Sequence, residues 1–416
     1  MSDEVRRWLE ENALPLPDAH AGAPKPDHTG LEPLRKTLDD VQVLGMGEAT
    51  HGTAEFFRLK HRLLRFLVEE MGCTALAMEA GASAARAVDD HVVHGTGDAA
   101  DALAGLGFWT WRTREMLDVV EWLREHNRTV PPERAVRFAG IDPQRCGPSL
   151  TALDAVLRAF APERAGLTAG PLGVLADAKP GSPAVRGPRL PAEARALVRF
   201  LEEDRDRLAA RAGAGTADDA LRHARLIAAA ADVVSRPLHG AGGEPGALAA
   251  RDRYMAQEVI SLAERTPGRV AVWAHNGHVA TGCYAGDVPA MGRHLRSRFG
   301  ERYYALGLLF GEGAFRARPA NSATRAPKKH TVGAAGPRSV EGVLASVTPQ
   351  DHIVDLRAGR ALPAVAEWLA ERRFVRSFGA AVPRVTYRFQ LTPTVPAQEY
   401  DGLAYVARST PSTPLR

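Results

Sequence analysis

The stretch "VQVLGMGEATHG", residues 41–52, joins a short apolar run to a carboxylate and an imidazole three residues apart. Its apolar residues predict a buried strand, and the helical period of "TAEFFRLKHRLLRFLVEEMG" (53–72) predicts a helix directly after it. Glu48 and His51 therefore fall at a strand-to-helix turn, where ligands bind in open α/β sheets. Taken alone, the stretch is explained equally well if Glu48 caps the helix and His51 packs locally.

The composition is that of an ordinary globular protein. Hydrophobic residues make up 45% of the 416 residues, and 53 basic against 49 acidic residues give a formal net charge of +4. The sequence shows neither the clustered Lys and Arg of a nucleic-acid surface nor an apolar run of membrane-spanning length. We therefore expect no nucleic-acid or membrane partner, and the sequence leaves the oligomeric state open.

The cysteines indicate a reducing compartment. Cys73, Cys146 and Cys283 are widely separated and odd in number, which argues against a disulfide framework or a thiolate zinc cluster. The first residues, "MSDEVRRWLEENALPL", are charged and amphipathic and lack the apolar segment of a signal peptide. We expect a soluble cytoplasmic protein.

Short apolar runs alternate with helical patterns along the chain, which is typical of a mostly parallel sheet. Further strands are predicted at "CTALAMEAG" (73–81), "AVRFAGIDPQ" (135–144), "RVAVWAHNGHV" (269–279), "YYALGLLF" (303–310), "HIVDLR" (352–357) and "GLAYVA" (402–407). A long stretch rich in Ala, Leu, Arg and Glu interrupts them and is too long for an ordinary crossover. We predict an α/β fold with a mostly parallel sheet, with core segments at 1–147 and 267–416 and a helical insertion, acting as a cap, at 148–266.

Ionisable side chains follow four of the predicted strands. They are Glu48, His51, Glu79, Asp142, His275 and His278. A single histidine at a strand end is more often structural than catalytic. Because the carboxyl ends of parallel strands meet at one edge of a sheet, and because burying an unpaired charge costs about several kcal/mol, the whole set favours a functional site.

These residue types favour catalysis by activated water. No serine stands in a G-x-S-x-G elbow and no thiol lies next to the histidines, so a covalent acyl-enzyme has no obvious nucleophile. A histidine base acting on water fits better, with neighbouring carboxylates that hold its tautomer and a second histidine that stabilises the oxyanion or protonates the leaving alkoxide. Zinc binding is the alternative, since histidine and carboxylate are both zinc ligands, although His-x-x-His is a weak zinc signal.

In its sequence motifs the chain resembles the erythromycin esterase family. The resemblance is carried, in order, by "EPLRK" (32–36), "GEATHG" (47–52), "FFRLKHRLLRFLVEEMG" (56–72), "AMEAG" (77–81), "FWTWRTREMLDVVEWLREHN" (108–127), "GIDPQ" (140–144), "WAHNGHV" (273–279), "SVEGVLASV" (339–347), "DLR" (355–357) and "YDGLAYV" (400–406). It covers essentially the whole chain. It implies a three-layer α/β/α fold with a helical insertion and metal-independent, cofactor-free hydrolysis of a macrolide lactone.

The resemblance also implies roles for single residues. His51 matches the general base, Glu48 and Glu79 match the carboxylates that position it and the water, and His275 matches the second catalytic histidine. The positions assigned to substrate binding are His278, Lys60, Arg251, Asp142, Trp109 and Trp111. Lys60 stands where some resistance esterases carry arginine, and it supplies charge without the planar fork. The two tryptophans are equally well explained as core packing or as a cleft wall.

Family membership does not fix the substrate, because one site can serve several chemistries. The leading hypothesis is a hydrolase for a lactone or ester of a bulky natural product, as in antibiotic resistance. A second is an acyl transferase or cyclase of natural-product biosynthesis that uses the same histidines and carboxylates. A third, of another class, is a ligand-binding protein without catalysis.

Overall fold

The computed structural model describes residues 1–16, 28–180, 185–240, 244–284, 288–320 and 326–415. The strands are β1 (Ala13–Pro15), β2 (Val43–Met46), β3 (Cys73–Gly81), β4 (Arg137–Asp142), β5 (Arg269–Trp273), β6 (Cys283–Tyr284), β7 (Val288–Pro289), β8 (Tyr303–Pro319), β9 (Lys328–Val332), β10 (His352–Asp355), β11 (Arg373–Val375), β12 (Ala381–Val382), β13 (Thr392–Thr394) and β14 (Gly402–Ser409). The helices are α1 (Asp3–Asn12), α2 (Leu34–Thr37), α3 (Ala54–Met71), α4 (Ala85–His94), α5 (Ala99–Gly105), α6 (Arg114–Thr129), α7 (Gly147–Phe160), α8 (Pro162–Ala169), α9 (Arg189–Glu203), α10 (Arg205–Ala212), α11 (Ala214–Ser235), α12 (Ala247–Arg265), α13 (Asn276–Val279), α14 (Met291–Phe299), α15 (Val340–Val347), α16 (Leu356–Gly359), α17 (Pro363–Ala370) and α18 (Pro396–Glu399). This mixed α/β architecture confirms the predicted fold class.

The chain forms two compact units. Unit 1 comprises Met1–Ala77, Phe108–Arg137 and Val259–Arg416, and unit 2 comprises Met78–Gly107 and Phe138–Glu258. This grouping differs from the predicted boundaries in that residues 78–107 belong with the helical residues that follow β4. The role of the insertion as a cap stays a prediction.

Unit 1 is built on a mostly parallel sheet. Its strands follow the order β1-β10-β14-β8-β2-β5, and the first residues of β3 come next. β2 lies in the middle of the sheet and pairs in parallel with β5, where Val43 faces Val270, and with β8, where Val43 faces Tyr303. β1 and β10 run antiparallel at one edge. All four residues of β2 are buried, as a central strand covered on both faces requires.

Helix α3 follows β2 and carries the apolar face predicted from its period. Phe56, Phe57, Leu63 and Leu67 are buried on this face. The helix ends at Gly72, whose φ of 68° is left-handed and suits glycine at a helix C-terminus. The short distance from β2 to α3 leaves residues 47–53 as a tight turn at the carboxyl end of a central strand.

Unit 2 is mainly helical and has a core of its own. The ends of β3 and the strand β4 lie side by side, and the backbone N–H of Ala82 donates to the carbonyl of Asp142 at 2.8 Å. Helices α7 to α11 bury an apolar cluster that includes Leu153, Leu197 and Ile227. Alanine and leucine at helical spacing, seen in the sequence, therefore fill the interior of this unit.

The largest differences from the predicted strand bounds are in β5 and β8. The run predicted as a strand over 269–279 ends at Trp273, because the side chain of His275 accepts a hydrogen bond from the Gly277 N–H and starts the short helix α13. The run predicted over 303–310 continues to Pro319 as β8, because β9, β12 and β14 pair with its second half. No helix in the described part of the chain is long and apolar enough to cross a membrane.

Candidate active site

Glu48, His51 and Lys60 form a buried charged cluster in unit 1. Glu48 and His51 lie in the turn after β2, and Lys60 lies on α3. The Nδ1 atom of His51 is 2.7 Å from Oε1 of Glu48, and the Nζ atom of Lys60 is 2.6 Å from Oε2. Glu48 and Lys60 have 0% of their surface exposed, whereas His51 is 8% exposed. One carboxylate oxygen of Glu48 therefore contacts His51 and the other contacts Lys60. Of these three residues, only His51 is accessible to solvent.

Glu48 is held in its ionised form. Burial alone would raise the pKa of this carboxyl group, but the Lys60 ammonium and the hydrogen bond from His51 bring the pKa below its ordinary value. An ionised carboxylate only accepts hydrogen bonds, so the proton of neutral His51 lies on Nδ1. The Nε2 atom of His51 then carries a lone pair and can accept a proton.

Lys60 belongs to the interior of unit 1. Its Nζ atom lies 4.6 Å from the ring centroid of Trp273 and 3.5 Å from the carbonyl oxygen of Ala274. Lys60 has no exposed surface, and its assignment to substrate binding stays a prediction. Its Nζ atom contacts Oε2 of Glu48 as a point charge in place of a guanidinium fork.

A second imidazole lies beside His51 in the opposite tautomer. The ring centroid of His275 is 5.1 Å from that of His51. The Nδ1 atom of His275 accepts the backbone N–H of Gly277 at 3.1 Å, which places the proton of the neutral ring on Nε2. His275 can therefore donate a hydrogen bond from Nε2, while His51 can accept one.

Local packing fixes the backbone that carries both histidines. The buried side-chain amide of Asn276 donates to the carbonyl of Leu308 at 2.9 Å and accepts from its N–H at 3.1 Å, which ties α13 to β8. A Cβ atom at Gly47 would collide with the Asn276 side chain, and a Cβ atom at Gly52 would collide with the backbone of Arg316. Because glycine has no Cβ atom, Gly47 and Gly52 let this turn pack more closely against Asn276 and Arg316 than any other residue would.

The two tryptophans of "FWTWR" have different surroundings. Trp111 is buried and meets His51 edge-on, with ring centroids 5.7 Å apart, and it also contacts Phe57. Trp109 is partly exposed and lies under the guanidinium of Arg316, at 5.5 Å from its ring centroid. Trp111 therefore packs in the core against His51, and its role as a cleft wall stays a prediction. His278, also assigned to substrate binding, is buried on α13, three residues after His275.

Unit 2 holds a second buried charged cluster, formed by Glu79, Asp142 and Arg251. Arg251 lies on α12, and its Nη2 atom donates to Oε1 of Glu79 and to Oδ2 of Asp142, each at 2.8 Å. Its Nε atom also donates to Oδ2 of Asp142 at 3.1 Å. Burial would lower the pKa of the guanidinium, but the two carboxylates raise it well above its usual value. Asp142 has 0% of its surface exposed and is a partner of Arg251, and its assignment to substrate binding stays a prediction.

Gln144 is a member of this cluster that the sequence analysis missed. Its backbone N–H donates to Oδ1 of Asp142 at 3.0 Å, and its side-chain amide donates to both oxygens, at 3.1 and 3.0 Å. The signal was present in "GIDPQ", because an aspartate that accepts the N–H two residues later is a common turn former. Together, Arg251 and Gln144 satisfy the carboxylate of Asp142.

Metal binding was the rival interpretation of these residues. Within the ranges that the structure describes, no three His, Cys, Asp or Glu side chains are grouped so that they could hold a metal ion. Histidine and carboxylate donors remain chemically suitable for zinc. Removal of metal by a strong chelator therefore distinguishes the two interpretations.

Three comparisons relate the chain to known proteins. The erythromycin esterase family model matches residues 68–409. The chain is 26% identical over 335 residues to erythromycin esterase type II of Escherichia coli, which covers 74% of this chain and 77% of that protein. Its structure is similar to that of a Bacillus cereus protein, with a TM-score of 0.82, 23% identity and coverage of 100% and 99% of the two chains. It is also similar to a mutant of the erythromycin esterase EreC in its open conformation, with a TM-score of 0.70, 18% identity and coverage of 93% and 95%.

The family match covers most of the chain but begins after the turn that holds Glu48 and His51. It includes Glu79, Asp142, Arg251, His275 and His278. The structural similarities, at identities below a quarter, concern the fold. On the strength of the sequence match over residues 68–409, the chain belongs to the erythromycin esterase family.

Proposed function

We propose that the protein hydrolyses the lactone or ester bond of a bulky, macrolide-like natural product, with His51 as the general base that activates water. The observation that carries this proposal is a pair of neighbouring imidazoles whose Nδ1 atoms have opposite partners: that of His51 contacts the Glu48 carboxylate, and that of His275 accepts the Gly277 N–H. These partners leave Nε2 of His51 to accept a proton from water and Nε2 of His275 to donate a hydrogen bond. Family membership supports an esterase as the class of enzyme. The identity of the substrate and the use of water are the parts that need testing.

The geometry supports a balanced sequence of proton transfers. Nε2 of His51 takes a proton from water as the water oxygen attacks the carbonyl carbon, and Glu48 stabilises the imidazolium that forms. Nε2–H of His275 donates a hydrogen bond to the oxyanion of the tetrahedral intermediate. The carbon–oxygen bond to the alcohol then breaks, and His51 returns its proton to the leaving alkoxide. The products are a carboxylic acid and an alcohol, joined in one chain when the substrate is a lactone.

The remaining assignments stay proposals. Trp111 supports an apolar wall next to His51, where a bulky acyl or alcohol group would lie. Glu79 was assigned to orienting the water, and in unit 2 its Oε1 atom accepts from Arg251, which keeps the carboxylate in one orientation. Arg251 is accordingly proposed to act on substrate through the orientation of Glu79 and Asp142.

The test is a screen of macrolide lactones and simple esters in water enriched in oxygen-18, read by mass spectrometry. We expect at least one compound to gain the mass of one water and to carry the heavy oxygen in its new carboxylate. His51→Ala, the matched variant, should leave that compound intact. Acylation of an added alcohol or amine without incorporation of water would favour the transferase, and binding without turnover would favour the ligand-binding protein.

A chelation arm of the same assay tests the metal hypothesis. The proposal expects turnover to persist after exhaustive treatment with a strong chelator. Stoichiometric zinc in the purified protein, with turnover lost on its removal and restored on its return, would assign the histidines and carboxylates to a metal site instead.

A further inference from the structure

Two helix starts in unit 1 share a sequence pattern, and the chain after β14 carries a matching repeat. Helices α3 and α6 both begin with Thr-x-Glu, at residues 53–55 and 113–115. Residues 410–414 read "TPSTP", in which the pair Thr-Pro occurs twice at a spacing of three residues. The family match ends at residue 409, so this repeat lies just beyond it.

The first Thr-Pro pair docks on the start of α3. The N–H of Ala54 donates to the carbonyl of Thr410 at 2.9 Å. In return, the N–H and the hydroxyl of Thr410 donate to the two carboxylate oxygens of Glu55, at 2.6 and 2.5 Å. Thr53 and Pro411 form an antiparallel bridge. Since the first N–H groups of a helix have no partner within the helix, the segment supplies one.

The second Thr-Pro pair docks on the start of α6 in the same way. The N–H of Arg114 donates to the carbonyl of Thr413 at 2.8 Å. The N–H of Thr413 donates to both oxygens of Glu115 at 3.1 Å. Thr113 and Pro414 form the corresponding antiparallel bridge. The same chemistry is thus used twice, with Glu115 in the place of Glu55.

Between the two pairs, Ser412 holds the turn that carries His51. Its N–H donates to the carbonyl of Gly52 at 2.9 Å, and the N–H of Arg316 donates to the same oxygen at 3.0 Å. Gly52 follows His51 directly, and Trp111 lies three residues before Arg114, the first residue of α6. Residues 410–414 therefore connect the segment that carries the proposed base with the segment that carries its aromatic neighbour.

We propose that residues 410–414 are a positioning segment for the reaction, which fixes the ring of His51 against that of Trp111 by docking on both helix starts. This inference rests on the proposed function, because the position of the His51 ring affects the reaction only if His51 is the general base. Displacement of a catalytic group by about 1 Å can cost about 100-fold in rate, so small changes in this segment should be visible in turnover.

The test compares Ser412→Pro with Ser412→Ala in the full chain. Proline removes the N–H that donates to Gly52 and follows an existing proline, whereas alanine keeps the N–H and serves as the matched control. The first readout is the NMR chemical shift of the His51 ring protons, whose signal is assigned by its loss in His51→Gln. The aromatic ring of Trp111, edge-on at 5.7 Å, changes this chemical shift through its ring current. The second is kcat and KM on an ester that the wild type hydrolyses, and a thermal melt checks the fold.

For Ser412→Pro we expect the His51 signal to move towards its position in Trp111→Leu and kcat to fall about 10- to 100-fold with KM little changed. Ser412→Ala should change neither. A His51 signal that stays in its wild-type position in Ser412→Pro, or a moved signal with unchanged kcat, would overturn the inference. If the signal moves but the wild type hydrolyses no ester, the positioning stands and the proposed function fails. If Ser412→Pro does not fold, the same readouts are taken on Thr413→Pro, with Thr413→Ala as its control. Thr413→Pro removes the N–H that donates to Glu115 and keeps the hydrogen bond from Ser412 to Gly52.

Discussion

The charged clusters of the two units use similar residues in different ways. In unit 1 an ammonium group contacts one oxygen of Glu48 and an imidazole contacts the other. In unit 2 a guanidinium bridges the carboxylates of Glu79 and Asp142. The ammonium group of a lysine contacts one carboxylate oxygen and leaves the second available, whereas the guanidinium group of an arginine donates to several acceptors at once. The first arrangement suits proton transfer through the imidazole, and the second suits holding two carboxylates in place.

A third buried carboxylate, Glu341 in unit 1, shows what the cations contribute. Its Oε1 atom accepts the backbone N–H of Arg376 at 2.6 Å, while the guanidinium of Arg376 donates to the carbonyls of Gly311 and Gly333. Burial raises the pKa of Glu341 to about 7, although Arg376 opposes the change. Glu48 is equally buried, yet its pKa is lowered because the Lys60 ammonium touches it. Direct contact with the Lys60 ammonium is thus the largest cause that lowers the pKa of Glu48, with His51 adding to it.

The largest effect should come from removing the imidazole. We expect His51→Ala to lower kcat by about 10² to 10⁴, as loss of a general base does, with the fold retained. Glu48→Gln should also lower kcat, and the double variant should be little worse than the poorer single one, because both groups act through one proton transfer. A fully multiplicative loss in the double variant would separate Glu48 from the base. The same cycle with Glu79→Gln tests whether Glu79 acts with His51, as the family resemblance implies.

Removing the guanidinium should act mainly on stability. Arg251→Met leaves two buried carboxylates without their shared cation, and we expect the free energy of unfolding to fall by about 3–5 kcal/mol. Urea unfolding measures this, with Arg251→Lys as a milder control that keeps the charge. If Arg251→Met instead unfolds at the wild-type urea concentration and loses turnover as completely as His51→Ala, the contrast between the two clusters is wrong.

The pH dependence of stability should distinguish Glu341 from Glu48. Because the folded pKa of Glu341, about 7, lies above its ordinary value, stability falls as the pH rises from about 4.5 through about 7, by about 3 kcal/mol at most. Glu48 has the opposite sign: its contribution is present above the ordinary pKa and is lost as the pH falls through the lowered folded pKa. Unfolding of the wild type and of Glu341→Gln between about pH 4.5 and 7 checks the contribution of Glu341, and the same comparison with Glu48→Gln below about pH 4.5 checks that of Glu48. A variant curve that is as steep as the wild-type curve between about pH 4.5 and 7 would contradict the role of Glu341.

The smallest effect should come from Gln144. Gln144→Ala removes the side-chain amide from Asp142 but keeps the backbone N–H and the Arg251 contacts, so we expect a loss of about 1–2 kcal/mol. Urea unfolding measures the change, and Gln144→Glu, which places a like charge against Asp142, should cost more. A Gln144→Ala variant that is as stable as the wild type would show that Arg251 and the backbone N–H of residue 144 satisfy Asp142 without the side-chain amide.

The sequence predicted the elements that depend on simple periodicity. The strand at 73–81 has the predicted bounds in the structure, because nine consecutive buried residues leave a clear apolar run. The Glu48–His51 contact was likewise foreseeable from a carboxylate and an imidazole three residues apart in a tight turn. The end of β5 was not foreseen, because the cap at His275 depends on its side chain accepting a backbone N–H.

Two further sets of contacts were not predicted from the sequence. The burial of Lys60 had a signal in the sequence that was overlooked, whereas the docking of residues 410–414 had none. Lys60 stands on the apolar face of α3 between Phe56 and Leu63, and a lysine at such a position is a signal of a buried ion pair. Its partner could not be named, since several carboxylates follow strands in this chain. The docking of residues 410–414 depends on contacts between distant parts of the chain, which local periodicity does not encode.

The complete enclosure of Lys60 has a practical consequence for attaching this protein to supports and probes. Amine-reactive esters need an accessible, neutral amine, and Lys36, Lys179, Lys328 and Lys329 are exposed while Lys60 is not. Coupling through lysine should therefore occur at these outer amines and spare the ammonium that neutralises Glu48. Acylation of Lys60, read by peptide mapping, would in turn report an opening of unit 1 between β2 and α3.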